Sequence, residues 1–530
     1  MCKISGLVKN SLTGQPIERA LIDGQVDAAL TDNEGHFELR LQCGGYSQLQ
    51  ARRPGYSNPQ GVYIHPIQVE PDAPEVTIEL TPRATIAGHI SVSNGGDASD
   101  LHFQAYKAGY WYGHLRWSFA GQANTDSNGI FKMYELDSPA KYLLCSQQSQ
   151  ERFGVPSTTN ITYGYPTTCY PPAMGADSDG LLRLAPGQQA ELEISVTHQP
   201  FYRVSIFESL PQGQRQGISF YNQNGVNVNA SLRWKDEDQS WEAWLPNGTY
   251  HAESHSWGTS PGYGHVDIKV SDTNVSGLRM NVLPLAPVEV IIHKLFTAKS
   301  NEQPTAGANL GVQHALMPTD DANPGLELEL IPVEPRFEGF GGGVGLRHQE
   351  GDEPGHFEAE GVTPGRYWVQ AFYFSEGYVS ALSSGATDLT REPLVIGPGN
   401  TVPPIEVTVH NDGGTIECAI NNVPNADAST MNPISGFFPN GPLVYAIPAG
   451  PRYSRLPRGS FGQGGSARIE NLAPGLYRVV ALSKFSDLDA ADPAELDNLM
   501  AHAKTVRVEP GTSTSVRVDF AKPEDGEPNP

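Results

Sequence analysis

Apolar and polar residues alternate along most of this chain in short runs. In VTIEL (from Val76), ELEISV (from Glu191), VEVII (from Val288) and IEVTV (from Ile405) the apolar side chains fall two apart. That spacing puts them on one face of a strand, with the polar residues on the other. Clusters of Gly, Pro, Asn and Asp cut the runs, and long helical patterns are nearly absent. The pattern predicts an all-β chain of several small sandwiches. One stretch departs from it. In ADPAELDNLMAHAKT, Asp492 can cap a helix, Pro493 fits its first turn and Glu495 suits its positive end. Leu496, Leu499, Met500 and Ala503 then form an apolar stripe, so a short helix over 493–503 should lie on the last sandwich.

The turns repeat as well. TDNEGHFELR begins at Thr31 and TDSNGIFKMY at Thr125. A calcium loop needs oxygen ligands at alternate positions and a bidentate Glu at the twelfth. Gly35 and Gly129 instead lead straight into apolar-polar alternation, so both copies read as hairpin turns.

Two longer signatures recur five times. The first is a short strand, a turn holding Pro or Gly, and a Tyr that leads a second strand. It reads FKMYELDSPAKYLL from Phe131, WEAWLPNGTYHAES from Trp241, FEAEGVTPGRYWVQAF from Phe357 and ARIENLAPGLYRVVAL from Ala467, with a looser FELRLQCGGYSQLQA from Phe37. The tyrosines are Tyr46, Tyr142, Tyr250, Tyr367 and Tyr477. The second signature is a short β-rich run, a polar or Pro-Gly turn and an alternating strand, as in LRLAPGQQAELEISV from Leu182 and VRVEPGTSTSVRVDF from Val506. Its ends divide the chain into sandwiches at 1–83, 84–199, 200–286, 287–410 and 411–521, and the acidic, Pro-rich residues 522–530 read as a disordered tail.

Five units suit a chain of 530 residues, because single cores rarely grow past about 250–300 residues. The formal charge is −24, from 59 acidic against 35 basic residues, with no Lys/Arg cluster. Such a surface repels phosphate backbones and anionic membranes, so nucleic acid is not an expected partner. No apolar run is long enough to span a bilayer. MCKISGLVKN enters a strand pattern at once and does not read as a signal peptide; the chain is either cytoplasmic or has lost its signal. The cysteines bear on that choice. None of the five forms a CxxC or takes metal-ligand spacing. Cys145–Cys169 reads as a disulfide and Cys2–Cys43 as a second, with Cys418 buried and free. Two disulfides place the protein outside the cytoplasm. Cys2 also fits a lipid-anchor residue.

SGLVKNSLTGQPIERALI, followed by ALTDNEGHFEL and ARRPGY, resembles a carboxypeptidase regulatory-like domain, and the resemblance continues through YPTTCYPP and SGATDLTREPLVIGPGNTVPPIEV. It implies transthyretin-like or Ig-like sandwiches, of the kind also classed with carbohydrate-binding folds, in a secreted bacterial protein. No HExxH or His-x-x-Glu is present, so a zinc peptidase is not expected with them. Surface sandwiches of related shape carry Lys–Asn crosslinks; here the opening strands of units two to five lack an early lysine, leaving Lys3 or Lys9 in unit one.

Other candidates are local. GTSPG formally matches a nucleophile elbow, but Pro261 follows Ser260 and the next residues read as turn and strand. The glycines from Gly339 lack the context of a phosphate loop. In HAESH, His251, Glu253 and His255 share a strand face, with His265 on the next strand, a weak metal candidate. The outer histidines lie about 13 Å apart along a strand, so two of the three at most could share an ion. Tyr250, Ala252 and Ser254 take the inward positions, which turns the histidines towards solvent. In AYKAGYWYGHLRWSF, Tyr110, Trp111 and Tyr112 cannot all point inward, so at least one is exposed or covered by another unit. With Trp117 they form a candidate sugar-stacking platform, or else pack on a neighbouring domain. The expected function is a non-enzymatic, cofactor-free binding or adhesion protein of the cell surface, secreted or periplasmic, for polysaccharide or an envelope protein. The alternative is a self-associating rod or filament subunit, and a lesser one an accessory subunit of a secreted enzyme.

Overall fold

The computed structural model describes residues 1–58, 65–71, 73–150, 161–172, 180–209, 217–256, 261–297, 325–334, 343–348, 353–375, 377–421, 443–450, 454, 456–460, 465–482 and 488–520. Ser260, residues 339–342 of the glycine run and the tail 522–530 lie outside them. The described chain is all-β: tandem two-sheet sandwiches, with one α-helix of nine residues among the described residues.

One wiring recurs in all five. The opening strands are Cys2–Asn10, Ala84–Val92, Gln199–Ser209, Val288–Leu295 and Gly414–Asn421. Each pairs antiparallel with a middle strand and parallel with the strand that closes the sandwich. The closing strands are Val76–Pro82, Gln189–Val196, Val275–Asn281, Ile405–His410 and Ser513–Asp519. Each Tyr-led strand sits at the centre of the opposite sheet. The alternating apolar positions of both sheets meet between them, as Ile4, Phe37, Ile22 and Leu49 do in the first core.

The repeated turns are crossings between sheets, which corrects the hairpin expectation. Thr31 to Gly35 joins Ala28–Leu30 of one sheet to His36–Leu41 of the other, and Thr125 to Gly129 joins His114–Asn124 to Ile130–Leu136 in the same way. Strand periodicity on both flanks does not reveal which sheet each strand enters. The turn chemistry fits the crossing. The Asp32 carboxylate accepts the amides of Glu34 and His36, and Asp126 accepts those of Asn128 and Ile130. The buried Thr31 and Thr125 hydroxyls are spent on backbone groups of the preceding loops. Gly35 and Gly129 have φ of 78° and 74°, where a Cβ would meet the carbonyls of Val8 and Ile90.

The Tyr signature has an equally local cause. The hydroxyls of Tyr142, Tyr250, Tyr367 and Tyr477 donate to the carbonyls of Asp137, Pro246, Thr363 and Ala473, at 2.6, 3.0, 2.9 and 2.7 Å. Each ring thus fills the core while its polar tip ties down the crossing that delivers it, the arrangement of a tyrosine corner. Burial pushes the Tyr142 and Tyr250 hydroxyls well above the ordinary phenol range.

The helix runs Pro493–Ala501, capped by the Asp492 side chain on the amide of Ala494. It ends two residues before 503 because Lys504–Val508 already belongs to a sheet. Leu496 is buried with Leu499, Met500 and Ala503 around it, on the outer face of Leu443–Pro448. Glu495 is held above its ordinary range by burial, with Asp492 adding to the shift, so the helix end does not dominate there.

Tyr250→Phe and Tyr477→Phe test the corners. Each leaves one carbonyl without its donor and should lower the stability of its sandwich by about 1–3 kcal/mol in urea unfolding, with the fold retained.

Candidate functional site

Three of the four aromatic candidates sit in seams between sandwiches, and the hairpin that carries them explains why. His102–Trp111 and His114–Asn124 are joined by Tyr112 and Gly113, both in left-handed backbone (φ 51° and 83°). Glycine adopts this readily and tyrosine does not, so Tyr112 holds a strained position. It does so while 3% exposed. Its amide donates to the Asp489 carbonyl of the fifth sandwich at 2.8 Å. Its ring packs with Ile331 and Phe372 of the fourth, 5.4 Å from the Phe372 ring centroid. Trp111 flanks it, half-buried, and donates from Nε1 to Glu329 at 2.8 Å. His114 stacks on Trp368 at 4.9 Å. Arg116, beside Glu329, has its pKa pulled down by burial and partly restored by that carboxylate.

Trp117 is half-buried in a second seam with Tyr106, Leu143, Cys145 and Cys169, against Val226 of the third sandwich. Tyr110 is half-buried on the strand His102–Trp111, opposite Leu115. The structure therefore places neither tryptophan as an open platform facing solvent.

Cys145 is bonded to Cys169 and Cys2 to Cys43. Cys418 is buried and unbonded to another cysteine, with its thiol pushed up to about 11 by burial. Lys3 and Lys9 pair with Glu38 and Glu79 at 2.7 and 3.1 Å rather than with an Asn.

The second sandwich touches all the others. Arg83 and Gly55 hold Glu135 at the joint with the first. Gln148 and Gln150 both donate to the Trp244 carbonyl of the third. Lys141 reaches Asp492 of the fifth at 3.0 Å, with Arg183 beside it on the next strand. Ile161–Tyr165, from the loop between the two cysteines, pairs with the opening strand of the third sandwich and extends its sheet.

The HAESH face is arranged differently from the metal expectation. Among the described residues no three His, Cys, Asp or Glu side chains are placed to hold a metal ion. His251 and His255 approach opposite oxygens of Glu253 at 3.1 and 3.3 Å, so they flank the carboxylate instead of converging on a common centre. Tyr263 donates to Glu253 at 3.1 Å, and His265 is its cross-strand partner. Tyr250, Ala252 and Ser254 are buried on the inner side, and His265 is exposed. Alternation turns the histidines towards solvent, yet His251 and His255 are half-buried, because they and Tyr263 gather over a Glu253 side chain with 0% exposure.

Sequence reasoning passed over the residues that receive the hairpin: Leu143, Val226, Ile331 and Phe372. A signal existed. KYLLCS, LELELIP and LVYAIP break strict alternation, as strands covered on both faces do.

No family model matches the chain, and no curated protein matches it. Among solved structures, the Bacillus anthracis TIE protein is 12% identical, covering 83% of this chain and 74% of its own, with a TM-score of 0.16. A streptococcal ancillary pilin is 12% identical over 53% of this chain and 99% of its own, TM-score 0.17. BcpA, the major pilin subunit of Bacillus cereus, is 12% identical with the same coverage and a TM-score of 0.13. With TM-scores this low, none of the three bears on what this chain does.

If the hairpin tip holds the sandwiches together, Tyr112→Ala should enlarge the radius of gyration in small-angle scattering while each sandwich keeps its own unfolding transition. Tyr112→Gly relieves about 1–2 kcal/mol of left-handed strain, yet it should open the seam too, because the ring is what fills it.

Proposed function

We propose that this chain is a non-enzymatic structural protein of the extracytoplasmic surface, acting as a preassembled body of five carboxypeptidase regulatory-like sandwiches. The units would span 1–83, 84–199, 200–286, 287–410 and 411–521. The observation that carries the reading is the use of the aromatic hairpin. Its rings and its strained tip are spent on fixing the fourth and fifth sandwiches against the second, so geometry is what this surface supplies. Two disulfides, one of them in a seam, support an oxidising compartment. Self-association through edge strands is the expected mode of use: Gln189–Val196 and Ser513–Asp519 each end a sheet.

Binding of polysaccharide or an envelope protein is the second reading, favoured by residues outside the hairpin tip. Phe119 and Tyr134 are 56% and 62% exposed on the second sandwich.

Three measurements test this. Reduction of the purified, air-exposed protein should add four hydrogen atoms to its mass, and five free thiols before reduction would remove the extracytoplasmic reading. Light scattering across concentration, alongside a pull-down on polysaccharides, separates the two functions. Growing particles without glycan capture support the structural subunit. Capture lost in Phe119→Ala or Tyr134→Ala but kept in Trp111→Ala and Trp117→Ala would favour glycan binding instead.

A further inference from the structure

The outer face of the third sandwich holds a buried carboxyl group that no structural role of the seams requires. Glu253 lies on Gly248–Ser256 with its side chain fully buried. It accepts from His251 Nε2, His255 Nε2 and the Tyr263 hydroxyl. His251 is engaged on both nitrogens, because its Nδ1 lies 2.7 Å from the Asp267 carboxylate on the neighbouring strand, Gly262–Val270. A neutral imidazole has one donor and one acceptor, so it can serve only one of two carboxylates. The imidazolium serves both. The hydrogen bond to Glu253 is the largest cause raising the His251 pKa, followed by an opposing burial effect and then by Asp267.

The other groups facing this site do not replace that proton. On the same strand, His255 shares Glu253. On the neighbouring strand, His265 stands 5.2 Å from the His251 ring centroid, and a second positive charge there would repel the first. Tyr263 gives its hydroxyl to Glu253. On the other flank, Tyr221 is the register partner of His251. Glu208 lies on the inner side, engaged by Ser254 and Trp241.

We propose that His251 is a proton-operated latch: protonated, it ties the buried Glu253 to Asp267 across the hairpin, and deprotonated, it releases that clamp, so the third sandwich loosens as its surroundings turn from acid to alkaline. The direction follows from linkage. A histidine whose folded pKa is raised contributes stability in full below its unfolded value of about 6.5, and that contribution is lost as pH rises through the folded value. Each unit by which the folded value exceeds the unfolded one is a tenfold change in the ratio of closed to open forms. An acid-strengthened hairpin is independent of whether the protein builds filaments or binds glycan.

The test uses the full chain with a chelator present throughout. The His251 ring resonance, assigned by its loss in His251→Gln, is titrated by NMR, and its midpoint should lie above about 6.5. In parallel, the protein is equilibrated in urea at acid or alkaline pH and pulse-labelled with deuterium at one fixed pH. Peptides from Gly248–Ser256 and Gly262–Val270 should be better protected after acid equilibration, relative to the other sandwiches, and His251→Gln should abolish that difference. In Glu253→Asp the midpoint should move back towards the ordinary value; if that variant fails to fold, the wild-type titration decides alone. A wild-type midpoint at or below about 6.5, or an unchanged pH response in His251→Gln, overturns the latch.

Discussion

The arrangement of this molecule depends on a strand that is apolar on both sides. Ala140–Ser146 sends Tyr142 and Leu144 into its own core. Its other face sends Lys141 to the fifth sandwich and Leu143 and Cys145 towards the third. A sheet in a free-standing sandwich needs one apolar face only, and the other is satisfied by water. Here the second face is apolar, so it has to be covered by protein. The neighbouring strand continues the requirement through Tyr106 and Trp111, and the hairpin tip extends it to the fourth sandwich. The same logic covers the outer face of Leu443–Pro448 with the helix instead of with another sandwich.

Against that demand stands the independence of each core. The opening strand and its antiparallel and parallel partners recur, with a corner tyrosine in the second to fifth sandwiches, without borrowing residues from a neighbour's core. The seams are small by comparison and carry more charge, with Glu329, Arg116, Lys141 and Asp492 at their edges. Stability thus resides mainly within the sandwiches, and relative placement resides in a few aromatic and ionic contacts. The division separates what makes the chain fold from what gives it a shape.

Much of the first part was legible in the sequence. Alternation marked the strands, the Tyr and closing signatures marked the repeated elements, and Asp492 with Pro493 marked the helix start. Strand pairing was not legible, because a Thr-Asp-x-x-Gly turn has the same local chemistry whether the chain stays in its sheet or crosses to the other. The burial of Glu253 escaped for a related reason. Period-two reasoning assigns it to the outer face correctly, but what covers an outer face comes from cross-strand register, here Tyr263 beside His255 and His265 beside Glu253. By sequence alone the aromatic hairpin suits a platform as well as a packing element. Three consecutive aromatics cannot share one face, and it took the positions of Ile331 and Phe372 to show where the third one goes.

The strand Ile161–Tyr165 carries a consequence for how the chain comes off the ribosome. It belongs by sequence to the second sandwich and by hydrogen bonding to the sheet of the third. Synthesis from the N-terminus therefore delivers the donated strand before its acceptor exists, and it must wait until Gln199–Ser209 emerges to pair with it. It covers Gln199–Tyr202 of that edge, while Val204–Ser209 waits for Val275–Asn281, the strand that closes the sandwich. The stretch of nascent edge that Ile161–Tyr165 reaches, which would otherwise invite another chain, has its partner already made when it appears.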